Sequence, residues 1–264
     1  MDRERFDVTV IALFGGGVNE QFLAPHIHYR SVFPRQIPGN SHIMKLFSPK
    51  MLHRFCVREH YDIEVSYLEG PSARIISGCE DERTKLVSWI HCTMQSTKEV
   101  AESFRSVSEA IKCYRRFDRM VFVSQGVKEA FLEHSQLAGK SLVLYNTNES
   151  NRILEIAQES TEADLFGQGI LTWCSAGRLI PVKRFDRMLR IQKRLLEEGY
   201  PIRLWVLGEG ELAEALKRQA KDDGIKDSVE FFGYQTNPYK YVAKCDLFVC
   251  TSIAEGFSTA ATEA

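Results

Sequence analysis

The chain has 264 residues, of which 44% are apolar and 26% charged, and its formal net charge is −1. The composition is ordinary for a globular protein, and the length exceeds the usual span of one domain, which favours two. A net charge this close to zero excludes a global attraction for polyanions, so we do not expect nucleic acid as a partner.

Strand-like and helical patterns alternate in the first half. The run DVTVIALF at 7–14 is rich in β-branched residues, and MVFV at 120–123 leads to Ser124, a typical N-cap for the helical pattern after it. Further strands are predicted at 61–70, 85–91 and 141–147, and ARIISGC at 73–79 predicts the start of a helix. Apolar strands between helices indicate a parallel sheet covered on both faces.

A polar, acidic stretch at 146–169 marks the junction. We therefore predict an N-terminal domain over 1–150 and a C-terminal domain over 151–264. In the second domain the alternation restarts, with strands and their exit turns at 170–179, 202–210, 228–234 and 246–252, and helices at 185–200, 211–224 and 237–245.

The seven cysteines, at 56, 79, 92, 113, 174, 245 and 250, have no CxxC spacing. They indicate reduced thiols rather than a disulfide framework or a zinc site. The sequence has no apolar run of about 18 residues and no signal-peptide pattern at its start. We expect a cytoplasmic protein.

The turn LGEGEL at 207–212 follows a strand and opens a helix. A dinucleotide fingerprint needs a third glycine, and Ala213 takes its place, so a structural turn is the favoured interpretation. A nicotinamide oxidoreductase is disfavoured for the same reason.

Two basic residues, Arg178 and Lys183, follow a strand in SAGRLIPVKRFD at 175–186. Open parallel sheets bind ligands at this carboxyl edge, and an arginine fork with a lysine point charge suits a diphosphate. Taken alone, a solvated basic pair is the favoured alternative.

The last ten residues, EGFSTAATEA, also follow a strand. Gly256 permits close approach of a ligand to the backbone, and the small residues Ser258, Thr259 and Ala260 leave the start of a helix open for a phosphate. Glu255 and Glu263 can accept hydrogen bonds from hydroxyl groups of a sugar and a ribose. Together with the basic pair, this pattern indicates a nucleoside-diphosphate sugar.

Several segments closely resemble, in order and spacing, the retaining GT-B glycosyltransferases of the family-4 type (glycosyl transferases group 1). They are AGRLIPVKRFDRML, WVLGEGEL, VEFFGY and CDLFVCTSIAEGFSTAATEA, and with less weight YDIEVSYLEGPSARIISGC, KLVSWIH, MVFVSQGVKEAF and LVLYN. The resemblance implies two Rossmann-like parallel-sheet domains facing a cleft, the first on the acceptor side and the second binding the nucleotide sugar. Residues before 60 match only loosely.

The resemblance also implies roles for residues. Arg178 and Lys183 would stabilise the leaving diphosphate, Glu255 would contact the hydroxyl groups of the donor sugar, and Glu263 would hold the ribose. The backbone around Gly256, Phe257 and Ser258 would approach the donor, Gly233 and Tyr234 would lie near the base, and His91 would face the donor sugar. A packed histidine is the alternative interpretation of His91.

The implied reaction moves a sugar from a UDP-sugar or GDP-sugar to a hydroxyl acceptor with retention, without cofactor or metal. Polysaccharide or lipid-linked glycans are the expected acceptors. The basic, apolar stretch SPKMLHRFCVREH at 48–60 fits peripheral contact with the inner membrane face, although a solvated basic face is favoured.

Two departures from the family pattern predict a chain that is incomplete at both ends. The first domain would lack its first strand and helix, and the second its C-terminal part. We therefore expect little or no transferase activity from these 264 residues. The alternative function is a catalytically silent module that binds a nucleotide sugar or a glycan.

Overall fold

The computed structural model describes residues 2–35, 40–137, 139–161 and 169–264. These form two compact units, Met1–Tyr145 and Asn146–Ala264, each built on parallel strands. The predicted junction stretch at 146–169 contains a helix that the sequence analysis did not identify, α7 (Ser150–Ile156), and residues 162–168 of the stretch lie outside the described ones.

The first unit contains two parallel sheets. The strands β1 (Thr9–Phe14) and β2 (His28–Phe33) pair with each other. A four-stranded sheet has the order β3-β4-β5-β6, in which the strands are Ile63–Ser66, Lys85–Ile90, Arg119–Phe122 and Ser141–Val143. The predicted parallel arrangement is confirmed.

Six α-helices among the described residues of the first unit accompany these strands. They are α1 (Asn40–Lys45), α2 (Pro49–Cys56), α3 (Pro71–Ile76), α4 (Thr97–Val100), α5 (Val107–Tyr114) and α6 (Gln125–Ser135). Ser124 caps α6 as predicted, since its side chain accepts a hydrogen bond from the Val127 amide. Helix α2 begins in the same way at Ser48, with proline at its first position.

Buried charges hold the first unit together. Arg74 in α3 has a side chain that is 1% exposed and makes two hydrogen bonds to Glu109 in α5, at 3.1 and 3.2 Å. Its remaining donors reach the carbonyls of Met44 and Phe47, at 2.8 and 2.7 Å. One guanidinium group therefore connects α3 to α5, to α1 and to the chain after α1.

The second unit is built on one four-stranded parallel sheet in the order β10-β7-β8-β9. The strands are β7 (Leu171–Ala176), β8 (Ile202–Leu207), β9 (Val229–Gly233) and β10 (Leu247–Phe248). The helices are α7 (Ser150–Ile156), α8 (Phe185–Glu197), α9 (Ala213–Asp222), α10 (Tyr239–Val242) and α11 (Thr259–Glu263).

Both faces of this sheet are buried. Trp173, Leu204 and Val206 belong to a cluster with α8 and α9 on one face, whereas Cys174 and Trp205 belong to a second cluster with Tyr241 of α10. Successive residues of a strand point to opposite faces, which explains why these strands carry apolar residues at adjacent positions, as in Leu204–Leu207, rather than at alternate ones.

The structure also corrects the sequence analysis in places. The predicted strand at 246–252 is shorter, since only Leu247 and Phe248 pair with β7. Strand β2 and the helices α1, α2, α4 and α5 have no counterpart among the predicted elements. Among the described residues, no helix is long and apolar enough to span a membrane.

Candidate functional site

The strand order of the second unit contains a topological switch point. The chain runs from β7 to β8 and β9 on one side, and β10 then returns to pair with β7 on the other side. Open α/β sheets bind ligands at the carboxyl ends of the strands at such a point. The loops that leave it here are 177–184 after β7 and 249–258 after β10.

These two loops bring Lys183 and Glu255 together. The Lys183 Nζ atom donates a hydrogen bond to Glu255 Oε1 at 2.6 Å, and each side chain is 26% exposed. The two residues were predicted separately, one for the diphosphate and one for the sugar. The structure places them in one ion pair that is about three-quarters buried.

This pair keeps Glu255 ionised. Partial burial raises the pKa of the Glu255 carboxyl group, but hydrogen bonds from Lys183 and Ser252 outweigh burial, so that the pKa lies below its ordinary value of 4.5. At neutral pH the group is an acceptor of hydrogen bonds and has no proton to donate. It is therefore suited to holding hydroxyl groups rather than to general acid catalysis.

Backbone contacts fix the two loops against each other. The Thr251 hydroxyl group donates to the carbonyls of Lys183 and Arg184, at 2.9 and 3.1 Å. The Ile253 amide donates to the Val182 carbonyl at 3.0 Å. These contacts between the two loops thus position both Lys183 and Glu255.

Arg178 lies in the same loop as Lys183 but has a different environment. It follows β7, its side chain is exposed, and its guanidinium group makes no hydrogen bond or ion pair with any residue that the structure describes. A basic group at the switch point with its donors unused can take a phosphate without first breaking an ion pair.

The glycines of the LGEGEL turn have a structural role. A Cβ atom on Gly208 would lie 2.0 Å from the Gly177 carbonyl oxygen, and one on Gly210 would lie 2.5 Å from the Leu179 carbonyl oxygen. The Leu179 amide also donates to the Glu209 carbonyl at 2.9 Å. The turn therefore packs on the loop of Arg178, as the structural interpretation predicted.

The final segment forms α11, which begins after Ser258. The Ser258 hydroxyl group lies 3.9 Å from the Cys250 Sγ atom, which is itself 3.9 Å from Glu255 Oε1. The loop residues Gly256 and Phe257 join this part of the chain to Glu255 and are partly buried.

Glu263 is near Tyr239 of α10. Burial and the Glu263 carboxylate raise the pKa of Tyr239, so that its hydroxyl group stays protonated and bonds to Glu263. At the end of β9, Gly233 has a φ of 67°, and the Tyr234 side chain is 62% exposed. The contact that the structure gives Glu263 is thus with Tyr239 of α10.

His91 lies in the first unit, directly after β4. Its amide donates to Glu69 Oε2 at 2.8 Å, and its ring packs on Tyr67 with 4.8 Å between centroids. Burial lowers the pKa of His91 below its ordinary value of 6.5, and Glu69 offsets this only in part. Its Nε2 atom is buried without a hydrogen-bond partner among the described residues.

Comparison with known proteins agrees with this geometry. Residues 162–264 match the family model described as Glycosyl transferases group 1. The chain carries a glycosyl transferases group 1 domain. The predicted resemblance is thereby confirmed, and the group 1 domain contains the switch point and both loops.

Two curated relatives match most of the chain. One is N-acetylgalactosamine-N,N'-diacetylbacillosaminyl-diphospho-undecaprenol 4-alpha-N-acetylgalactosaminyltransferase of Campylobacter jejuni, which is 28% identical over 86% of this chain and 62% of the relative. The other is an uncharacterized glycosyltransferase of Methanocaldococcus jannaschii, which is 25% identical over 84% of this chain and 54% of the relative. The chain thus spans less than two thirds of the length of either relative.

A solved structure gives the fold. The crystal structure of Anabaena HepE in complex with UDP and glucose matches with a TM-score of 0.69 at 17% identity, over 97% of this chain and 70% of HepE. At this identity the likeness shows the fold alone. The predicted α/β class of GT-B type is confirmed.

The sequence analysis missed the residues that join the two loops of the group 1 domain. Thr251, Ser252 and Cys250 are small polar residues after a strand, and nothing in their local pattern distinguishes them from an ordinary loop. Their role depends on the position of β10 beside β7, and the local sequence pattern does not reveal the order of the strands in the sheet.

Proposed function

We propose that the protein is a retaining glycosyltransferase that binds a nucleoside-diphosphate sugar and transfers the sugar to a hydroxyl acceptor. The observation that carries the proposal is the Lys183–Glu255 pair at the switch point of the group 1 domain. A cation for the diphosphate and a carboxylate for the sugar stand next to each other there, as the two halves of such a donor require.

The diphosphate would be held by Arg178 and Lys183. Arg178 has unused donors, and the Lys183 ammonium group has three, of which one is used by Glu255. Lys183 can therefore bind a phosphate oxygen and Glu255 at the same time. As the bond between the anomeric carbon and the phosphate oxygen breaks, these cations would stabilise the negative charge on the leaving group.

The sugar would be held by Glu255. Its carboxylate is ionised at neutral pH and its Oε2 atom can accept from sugar hydroxyl groups. In the proposed reaction the acceptor oxygen attacks the anomeric carbon on the face that the phosphate leaves, and the acceptor proton passes to the departing phosphate oxygen. No protein carboxyl group needs to supply a proton, in agreement with the lowered pKa of Glu255.

We also propose roles for the other predicted residues. His91 would contact the donor sugar, because its imidazole is neutral at pH 7 and its buried Nε2 atom has hydrogen-bonding capacity left. Glu263 would hold the ribose, Gly233 and Tyr234 would lie near the base, and the backbone of Gly256, Phe257 and Ser258 would approach the donor. No metal is needed in this scheme.

The donor and acceptor classes follow from the relatives. HepE was crystallised with UDP and glucose, and the Campylobacter relative is named for transfer to a diphospho-undecaprenol-linked sugar. We therefore propose a UDP-sugar, with GDP-sugars as the competing donors, and a polysaccharide or lipid-linked glycan as acceptor. The expectation that these 264 residues alone have little transferase activity stays a prediction.

Peripheral membrane contact is a further part of the proposal. In α2, Met51 and Phe55 are 55% and 49% exposed. Lys50 and Arg54 of the same helix are basic, although both pair with Glu80. Cosedimentation with anionic vesicles tests this contact, and equal recovery of the chain with and without vesicles would contradict it.

The deciding experiment is calorimetric titration of the chain with UDP, GDP and their glucose derivatives. We expect UDP and UDP-glucose to bind, and Lys183→Ala to weaken both. Lys217→Ala is the matched control, because Lys217 is an ion-paired lysine on α9, away from the switch-point loops. The proposal is wrong if no sugar nucleotide binds.

Assays of sugar transfer and donor hydrolysis complete the test. Product with the anomeric configuration of the donor supports a retaining transferase, and product with the opposite configuration contradicts retention. Because little transferase activity is expected from these 264 residues alone, these assays use the chain extended to the length of its relatives. Binding by that longer chain with neither transfer nor hydrolysis would instead support the alternative of a silent binding module.

A further inference from the structure

Three metal-ligating side chains meet inside the first unit. They are His53 from α2, Glu64 from β3 and Cys79 from the loop after α3, and their ligand atoms all lie within 4.8 Å of one another. The His53 and Glu64 side chains are 12% and 6% exposed, and Cys79 is 3% exposed. The proposed sugar transfer does not use any of these residues.

Close backbone contacts position the Cys79 thiol beside His53 and Glu64. A Cβ atom on Gly78 would lie 2.0 Å from the Pro49 carbonyl oxygen at the start of α2, so only glycine permits this approach of the two segments. The Arg116 Nη2 atom donates a hydrogen bond to the Cys79 carbonyl oxygen at 2.6 Å. The next residue, Glu80, pairs with Lys50 of α2 at 2.5 Å.

The distances fit a small tetrahedral ion after minor movement. Zn²⁺ binds nitrogen and oxygen at about 2.0–2.2 Å and sulfur at about 2.3 Å, which places neighbouring ligand atoms about 3.4–3.6 Å apart in a tetrahedron. His53 Nε2 and Glu64 Oε2 are now 2.8 Å apart and would open slightly. The sulfur, within 4.8 Å of both, would move inward by at most about 1.4 Å.

The donor types select the class of metal. A thiolate and an imidazole favour Zn²⁺ and other late transition metals, whereas Mg²⁺ and Ca²⁺ require oxygen donors. Three protein donors leave one tetrahedral position for a small exogenous ligand. Among the first-row dications, Zn²⁺ suits a nitrogen, oxygen and sulfur set without redox chemistry.

A buried hydrogen bond between His53 and Glu64 with a thiol beside it is the simpler explanation of the same cluster. The two explanations differ in what they require of Cys79. The hydrogen bond has no need of the sulfur, whereas a metal binds cysteine as a thiolate and must displace the thiol proton.

We propose that His53 Nε2, the Glu64 carboxylate and Cys79 Sγ form a binding site for one Zn²⁺ ion within the first unit. The ion would join α2, β3 and the loop after α3. The cysteine spacing gives no sign of the site, because its donors are at 53, 64 and 79 and do not form a short motif. The proposal does not depend on the function proposed for the group 1 domain.

The test uses Co²⁺, which binds in Zn²⁺ sites and gives a thiolate charge-transfer absorption band. Titration of the full 264-residue chain should saturate this band at one equivalent, and Zn²⁺ should abolish it. Cys79→Ser should remove the band. Cys113→Ser, which replaces a buried thiol of the same unit, and Cys250→Ser, which replaces an exposed thiol, should both leave it unchanged.

A second measurement keeps the test valid if Cys79→Ser fails to fold. Glu64→Gln retains the shape of the side chain, and in this variant Co²⁺ affinity should fall at least tenfold. Zn²⁺ should raise the unfolding temperature of the wild-type chain, with release of about one proton per ion. No band with the wild-type chain, or a band that persists in Cys79→Ser, would overturn the proposal.

Discussion

The two units place their charged side chains differently. In the first unit, Arg74 and Glu64 are almost completely buried, and each has its partners inside the same unit. In the group 1 domain, Lys183 and Glu255 are each 26% exposed at the edge of the sheet, and Arg178 is exposed, with no side-chain partner among the residues that the structure describes. Charges of the first kind join structural elements, whereas charges of the second kind remain accessible to a ligand.

The largest effect is expected from Arg74→Ala. Removing one partner of a buried ion pair costs about 3–5 kcal/mol of unfolding free energy, because the other charge stays buried without compensation. The carbonyls of Met44 and Phe47 lose their donors as well. Urea unfolding followed by hydrogen exchange should show the loss in the first unit. Unchanged exchange in α3 and α5 would contradict this role.

The next effect is expected from Gly208→Ala in the group 1 domain. Overpacking against the Gly177 carbonyl costs about 1–3 kcal/mol, and the φ of 134° adds backbone strain for a residue with a side chain. The free energy of unfolding should therefore fall in this domain. Gly199→Ala is a useful comparison, because its φ is also positive but no atom lies within 4 Å of the added Cβ atom. An equal loss in both variants would show that strain alone is responsible.

Arg178→Ala should separate binding from folding. Loss of a charged hydrogen bond costs about 1.5–3 kcal/mol, which should appear in the calorimetric affinity for UDP. The unfolding free energy should change by less than about 0.5 kcal/mol, because the side chain is exposed. Arg218→Ala, an exposed arginine on α9, is the control. Unchanged UDP affinity would remove Arg178 from the proposed site.

A smaller effect is expected from the acid titration of Glu255. Its pKa is lowered in the folded chain, so its contribution to stability is full above the ordinary value of 4.5 and is lost as the pH falls through the lowered pKa. Glu255→Gln should therefore flatten part of the decline in unfolding free energy below about pH 4.5, and should leave the slope between pH 5 and 7 unchanged. Identical acid limbs in the two proteins would count against the ion pair.

The smallest effect is expected from Arg194→Ala. Arg194 pairs with Glu198 at 2.9 Å across one turn of α8, but its side chain is 80% exposed. Such pairs contribute about 0.3–0.5 kcal/mol, and added salt should remove the difference between variant and wild type. A decrease of the unfolding free energy by more than about 1 kcal/mol would contradict the distinction between exposed charges and buried structural charges.

The sequence predicted the elements whose patterns are strong. Strand β8 is apolar at every position except Arg203, β7 is apolar at four of its six positions, and helix α8 has a clear apolar face, so all three were found. Strand β2, HYRSVF, was missed because its polar residues hide the alternation, and α7 was missed because it lies in an acidic stretch that reads as a junction. For β2, pairing with β1 rather than local pattern decides the structure.

The candidate site was predicted in part for a similar reason. Each of Arg178, Lys183 and Glu255 follows a strand, which local patterns reveal. The contact between Lys183 and Glu255 joins residues 72 positions apart and exists only because β10 pairs with β7. Cys79 in the first unit illustrates the same limit, because Gly78 and Pro49 bring it to His53 through a close backbone approach.

Strand β10 is held to the sheet by only two residues, Leu247 and Phe248, and it carries the loop of Glu255. Local opening of a short edge strand costs less than global unfolding. A ligand that bridges Lys183 and Glu255 would therefore stabilise the pairing of β10 with β7. Part of its intrinsic binding free energy would be used to hold β10 in place. A ligand with higher measured affinity should therefore also slow the hydrogen exchange of the β10 amides more, because both measurements report the same equilibrium.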